Sequence, residues 1–257
     1  MIQIEFANKA KSILEKEENV IGFAAGGSWI TNEIDNFSDL DLVIVTKNKI
    51  TDDKNKMLTF ANKFDNFLSG FTGEHVGEPR LLICLYDNPL LHVDFKFVTL
   101  EEFKNRIETP VILLDKNGQL QNIINNTEPK FPYPNYQWIE DRFWIWIHYI
   151  LMKIGRGEFL EAFDGFGFLR MTVLGPLLHI KDKNLPRGVR KVETELNKIN
   201  LEKLLKTIPS YDRQSLLNTL HHVVELYREL RNELFDNSVL LQKETEEKVM
   251  IYFQQLN

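Results

Sequence analysis

The chain has 257 residues, 43% of them hydrophobic and 26% charged, with a formal net charge of −6. That is enough apolar material for one large domain or two ordinary ones and excludes a disordered chain, while the acidic balance argues against a protein built to lie along a phosphate backbone. A single cysteine, Cys84 in the apolar run LLICLY, excludes an intramolecular disulfide, speaks against a thiolate metal cluster and fits a reducing compartment.

The opening MIQIEFANKAKSILEKEE carries acids and lacks an apolar core followed by a small-residue cleavage site, so no signal peptide is expected. It reads instead as a helix over residues 1–16, with Phe6, Ala10, Ile13 and Leu14 inward. VIGFAAGG follows as a strand running into a glycine turn, and DLDLVIV as a second strand. Met57, Phe60, Ala61, Phe64, Phe67 and Leu68 then recur at helical spacing. RLLICLY and LHVDFKFV read as strands across the turn-like DNP, Thr99 with Glu102 as the capping box of a short helix, and PVILLD as a further strand.

EPKFPYPNYQ holds three prolines between 129 and 134 and can continue neither a helix nor a central strand. Beyond it every long segment reads as helix: 137–154, 159–181, 190–206, 212–234 and 238–255. A boundary near residue 132 therefore divides the chain into residues 1–132, which mix strands and helices, and residues 133–257, which are helical. FWIWIHYILMKI at 143–154 is too short to span a bilayer and contains His148 and Lys153. A cytoplasmic protein with no membrane association is expected.

The chemistry concentrates in GGSWITNEIDNFSDLDLVIV, residues 26–45. Gly26 and Gly27 allow close backbone approach, and Ser28 adds a hydroxyl, a combination suited to the outer phosphates of a nucleotide. Asp39 and Asp41 fall on one face of a strand, because strand side chains alternate. Carboxylates in a strand that otherwise reads as core need a positive partner, and hard oxygen donors suit Mg²⁺. A site for phosphoryl or nucleotidyl transfer calls for about one more carboxylate from a neighbouring strand. LHVDFKFV offers Asp94, with His92 and Lys96 on the same face and Val93, Phe95 and Phe97 opposite. Lys96 has two readings, a bridge to phosphate or a partner for Asp94. No His/Cys spacing suggests zinc.

Gly27-Ser28, Asp39-Leu40-Asp41 and Asp94, in this order and spacing, resemble the nucleotidyltransferase superfamily that includes DNA polymerase β. The layout of a domain of this kind, an aromatic-rich helix and a helical remainder is similar to the antibiotic nucleotidyltransferases, of the aminoglycoside 6-adenylyltransferase and lincosamide nucleotidyltransferase types. FWIWIHYILMKIGRGEF resembles the first helix of their C-terminal domain. The resemblance implies an α+β nucleotidyltransferase domain with a mixed sheet and flanking helices, followed by an all-α bundle that receives the acceptor. It implies an enzyme that moves a nucleoside monophosphate, AMP from ATP, onto a hydroxyl of a small molecule such as an aminoglycoside or lincosamide. Asp39, Asp41 and Asp94 then hold Mg²⁺, Gly26, Gly27 and Ser28 cradle phosphates, and Lys153 and Arg156 add positive charge. Glu158 and Asp94 compete as general base.

One departure stands out. Where family members often carry an arginine after Gly-Ser, this chain has Trp29, followed by the acidic loop ITNEIDNF. Phosphate charge must then be met by metal and by Lys153, Arg156 or Lys96. Trp138, Trp144 and Trp146 read as packing residues, with an acidic aromatic surface around Glu140 and Asp141 as the alternative. The basic run KDKNLPRGVRK at 181–191 reads as a solvated loop, since no aromatic residues interleave with its charges. Two rival functions stay open: transfer to RNA or a partner protein, and a nucleotide sensor without catalysis on the same fold. The sequence leaves the acceptor, the preferred base and the choice between monomer and homodimer undecided.

Overall fold

The computed structural model describes residues 1–256. The chain divides into two compact units, the first comprising Met1–Phe131 and the second beginning at Pro132.

The first unit is an α+β domain on a six-stranded mixed sheet. Its strands are β1 (Val20–Ala25), β2 (Leu40–Thr46), β3 (Phe67–Gly73), β4 (Glu78–Tyr86), β5 (Leu91–Thr99) and β6 (Val111–Asp115). They lie in the order β3-β4-β5-β2-β1-β6. Only β2 and β5 run parallel, and every other neighbouring pair is antiparallel.

Side-chain alternation gives the sheet two faces with different covers. Leu40, Leu42 and Ile44 of β2, with Val93, Phe95 and Phe97 of β5, pack under helices α1 (Ile2–Leu14) and α2 (Lys54–Ala61). Helix α1 buries Gln3, Ala7, Ala10 and Leu14, the three-and-four spacing of one helical stripe. The Tyr86 hydroxyl, on a buried side chain, donates to the Ala61 carbonyl at 2.8 Å and pins the end of α2 to the sheet. Buried among these groups on β4, the Cys84 thiol is pushed up to about 12 by desolvation and is chemically inert.

The opposite face is covered along part of its length. Helices α3 (Leu100–Lys104) and α4 (Gln119–Asn126) bring Phe103, Leu120 and Ile123 against Ile21, Val45 and Val98. Gly22 makes this possible, because a Cβ there would lie 2.4 Å from the Leu120 methyls. The predicted capping box on α3 is present, Thr99 exchanging hydrogen bonds with Glu102. Asp41 and Asp94 lie on this same face, nearer the starts of their strands than Val45 and Val98.

The helical periodicity expected to run through Phe67 and Leu68 stops earlier. Helix α2 ends at Ala61, Asn66 turns the chain with φ +64°, and Phe67–Gly73 forms β3. As an edge strand paired only to β4, β3 leaves Leu68 and Phe71 exposed, so it carries no alternating pattern to betray it. Helix α4 also lies where no element was expected.

The second unit is helical: α5 (Tyr136–Arg156), α6 (Phe159–Leu169), α7 (Gly175–Lys181), α8 (Val192–Glu195), α9 (Lys198–Leu205), α10 (Arg213–Leu234) and α11 (Lys243–Leu256). Its core joins Phe143, Ile147 and Leu151 of α5 to Leu220, Val224 and Tyr227 of α10. The single helix expected over 159–181 is interrupted by a π-helical turn at Arg170–Leu174, just before Gly175 and Pro176. Proline lacks the amide that would continue an α-helical ladder, which accounts for the break. The helix expected over 190–206 divides where Asn197 caps α9. Among the described residues, no helix is long and apolar enough to cross a membrane.

Candidate active site

Strand β1 is buried over its whole length and delivers the chain into the turn Gly26–Trp29. The Gly26 amide donates to the Asp41 carbonyl at 2.9 Å, so the turn is tied to the strand that carries the carboxylates. Gly27 has φ +57°, and a Cβ there would lie 2.0 Å from Asp41 Oδ2. Both facts require glycine: the left-handed backbone and the close approach of a carboxylate. Ser28 sits half-buried in the same turn. Trp29 packs against the core of the unit, which explains an aromatic residue there and leaves no cation at the position.

Parallel pairing of β2 with β5 sets Asp41 directly beside Asp94. Asp39 precedes β2 and is exposed, whereas Asp41 and Asp94 are half-buried. Burial raises the Asp94 carboxyl above its ordinary value, the Asp39 charge pushes in the same direction, and His92 opposes both. His92 Nε2 lies 2.9 Å from Asp94 Oδ1. Lys96 does not pair with Asp94: its ammonium meets Glu78 at 2.9 Å, and Glu78 is also gripped by Arg80 through two contacts of 2.7 Å.

The donor set is all oxygen apart from His92, which matches a hard divalent cation. Among the described residues no three His, Cys, Asp or Glu side chains stand together closely enough to hold a metal ion as placed. The carboxylates nevertheless fit one in kind, since Asp94 shows the electrostatic burden that a cation would relieve.

Sequence reasoning passed over Glu108. From the segment between α3 and β6, its Oε1 accepts the Gly27 amide at 3.0 Å and lies 2.8 Å from where a Gly26 Cβ would be. Glu108 stands 81 residues from Gly27 in sequence, in a loop with no periodic pattern, so no signal in the chain points to it.

Lys153, Arg156 and Glu158 form a cluster of their own in the second unit. Gly157, with φ +77°, ends α5 and turns Glu158 back towards Lys153 at 2.7 Å; Glu161 meets the same ammonium at 2.8 Å. These hydrogen bonds, to Glu158 first, raise the Lys153 pKa. Arg156 is mostly exposed, 3.9 Å from Glu158. The acidic aromatic surface weighed around Glu140 and Asp141 loses Glu140 and Trp144, whose side chains are buried, while Asp141 stays exposed. Glu140 accepts from the Gln242 amide at 2.9 Å, from Trp144 Nε1 and Arg231 at 3.4 Å each, and from the Tyr227 hydroxyl. Trp138 stays partly exposed, packed on Trp146 and under Arg142. In the basic run, Lys181 is paired with Glu229 and Glu233.

A mixed sheet carrying a Gly-Gly-Ser turn and paired aspartates, followed by a helical unit, has the layout expected of a nucleotidyltransferase. The family model of streptomycin adenylyltransferase matches residues 5–256, and the chain belongs to that family. No curated protein matches the sequence. Among solved structures, an aminoglycoside 6-adenyltransferase from Bacillus subtilis is similar at 15% identity, covering 99% of this chain and 98% of the other with a TM-score of 0.42. A nucleotidyltransferase-like protein from Exiguobacterium sibiricum is similar at 11% identity, covering 100% and 89% with a TM-score of 0.35. Likenesses this low carry no weight for the chemistry.

Proposed function

We propose that the protein transfers AMP from ATP, with Mg²⁺, to a hydroxyl of a small antibiotic of the aminoglycoside class. The observation that supports this most is the Asp41–Asp94 pair, set side by side on parallel strands next to the Gly26–Gly27 turn. Asp39, Asp41 and Asp94 would hold the cation, which supplies positive charge to the triphosphate and polarises the α-phosphate. Gly26, Gly27 and Ser28 present amides and a hydroxyl to the outer phosphates. Asp94, beside Asp41, would also be the proton acceptor for the incoming hydroxyl, a reading supported by Glu158 being held by Lys153. The roles of Lys153 and Arg156 at phosphate, and of Glu158 at the acceptor, rest on the resemblance to antibiotic nucleotidyltransferases.

The acceptor class follows from the family, whose namesake substrate is streptomycin. Incubating the protein with ATP, Mg²⁺ and a panel of aminoglycosides and lincosamides, with pyrophosphate release as the readout, tests the proposal. Acceptor-dependent release with an aminoglycoside supports it. Release with a lincosamide alone moves the acceptor class, and no release with any acceptor, together with no binding of ATP, overturns the reading.

A further inference from the structure

The turn assigned above to phosphate already holds an anion from the protein's own chain. Glu108 Oε1 accepts the Gly27 amide at 3.0 Å, and the absence of a side chain at Gly26 is what lets that oxygen come so close. The segment bearing Glu108 is anchored nearby: the Arg106 guanidinium donates to Thr127, and the Lys130 amide to the Arg106 carbonyl at 2.9 Å. Asp41 crowds the same glycine from the strand side.

We propose that Glu108 is a resident anion on the phosphate turn, occupying the Gly27 amide in the free protein and leaving when a triphosphate enters. This rests on the nucleotidyltransferase reading of the turn. The Gly27 amide has one proton, and a carboxylate and a phosphate oxygen cannot both take it at full strength. Two carboxylates flanking one turn also repel an incoming polyanion. Nucleotide binding therefore includes the work of expelling Glu108, and the protein binds triphosphate more weakly than its turn would allow. Glu108 is a competitor for the turn whose departure accompanies nucleotide entry.

Calorimetric titration of the full chain, as wild type, Glu108→Ala and Glu108→Gln, tests this with three probes: MgATP, magnesium tripolyphosphate and adenosine. Removing the carboxylate should tighten MgATP and tripolyphosphate by about tenfold, the range of one charge-assisted hydrogen bond, and leave adenosine unchanged. Glu108→Gln keeps the acceptor without the charge, keeps the shape of the loop and should fall between. Weaker or unchanged MgATP binding in both variants, with wild type binding normally, overturns the inference and leaves the function standing. Failure of all three proteins to bind MgATP or tripolyphosphate overturns the reading of the turn and the inference with it.

Discussion

Glu140 in the helical unit and Asp94 in the sheet are both withdrawn from water, but their surroundings differ in kind. Glu140 is 0% exposed and meets an amide, an indole, a hydroxyl and a guanidinium. Asp94, with its side chain 18% exposed, has one imidazole at 2.9 Å and stands beside Asp41, and burial first, with the charge of Asp39 after it, raises its proton affinity. Burial is tolerable for a carboxylate whose lone pairs are all answered. A carboxylate buried with its lone pairs only partly answered is a cost the fold bears for another reason. The first arrangement is architecture, and the second is the one the proposed function assigns to a cation.

Substitution separates the two. The largest effect is expected at the sheet: Asp94→Asn should lower transfer by roughly a thousandfold, the scale of lost metal-centred charge stabilisation. Stability should move the other way. The folded pKa of Asp94 is raised, so the stability linked to it is fully present below the ordinary carboxylate value and is lost as pH rises through the raised one. The Asn variant escapes that loss, and without metal at neutral pH it should melt no lower than wild type. A variant that unfolds would make Asp94 architectural, and the contrast with Glu140 would collapse.

The next effect belongs to the helical unit. Glu140→Ala strands the Tyr227 hydroxyl, the Trp144 indole and the Gln242 amide, and leaves Arg231 with Glu246 as its remaining carboxylate. Breaking a buried network from one side should cost about 3 kcal/mol, visible as a lower denaturant midpoint. Affinity of the sheet turn for tripolyphosphate is the control that should stay unchanged.

The contrast was half legible in the sequence. Alternation correctly puts His92, Asp94 and Lys96 on one strand face, because a half-covered sheet writes its faces into every second residue, but Asp39, expected on a strand face with Asp41, falls just before β2. Bringing Asp41 beside Asp94 needed the pairing of β2 with β5; the motif asked for a neighbouring strand, and the register shows that it runs parallel. Glu140 gave the opposite lesson. On a helix rich in tryptophan it looked like part of a surface, since nothing local announces partners 87 to 102 residues away. Glu78 and Glu108 were missed for the same reason: a carboxylate's partner across strands or loops leaves no trace in spacing. Phe67 and Leu68 were read into a helix and the rest of β3 was passed over, because an edge strand half open to solvent need not alternate.

Glu78 supplies the smallest expected effect and a third point on the comparison. Its carboxylate is gripped first by Arg80 and then by Lys96, which hold it down at about 2 against an ordinary 4.5. The sign is opposite to that of Asp94. A depressed pKa contributes stability that is present above about 4.5 and is lost as pH falls towards about 2. Because the Glu78 side chain is 25% exposed and its partners reach solvent as well, screening limits the contribution to about 1 kcal/mol or less. Glu78→Gln should therefore lower the melting temperature slightly at neutral pH, and the difference from wild type should vanish as both are acidified to about pH 2. The substitution also frees Lys96, whose strand position lies next but one to Asp94. If the released ammonium turns to the aspartates, metal-free Glu78→Gln will lose part of the stability decline that wild type shows as pH rises through the Asp94 titration. Melting curves of wild type, Glu78→Gln and Asp94→Asn across pH resolve both slopes. A slope unchanged by the Asp94 substitution would show that the burden on the sheet's carboxylates is carried elsewhere.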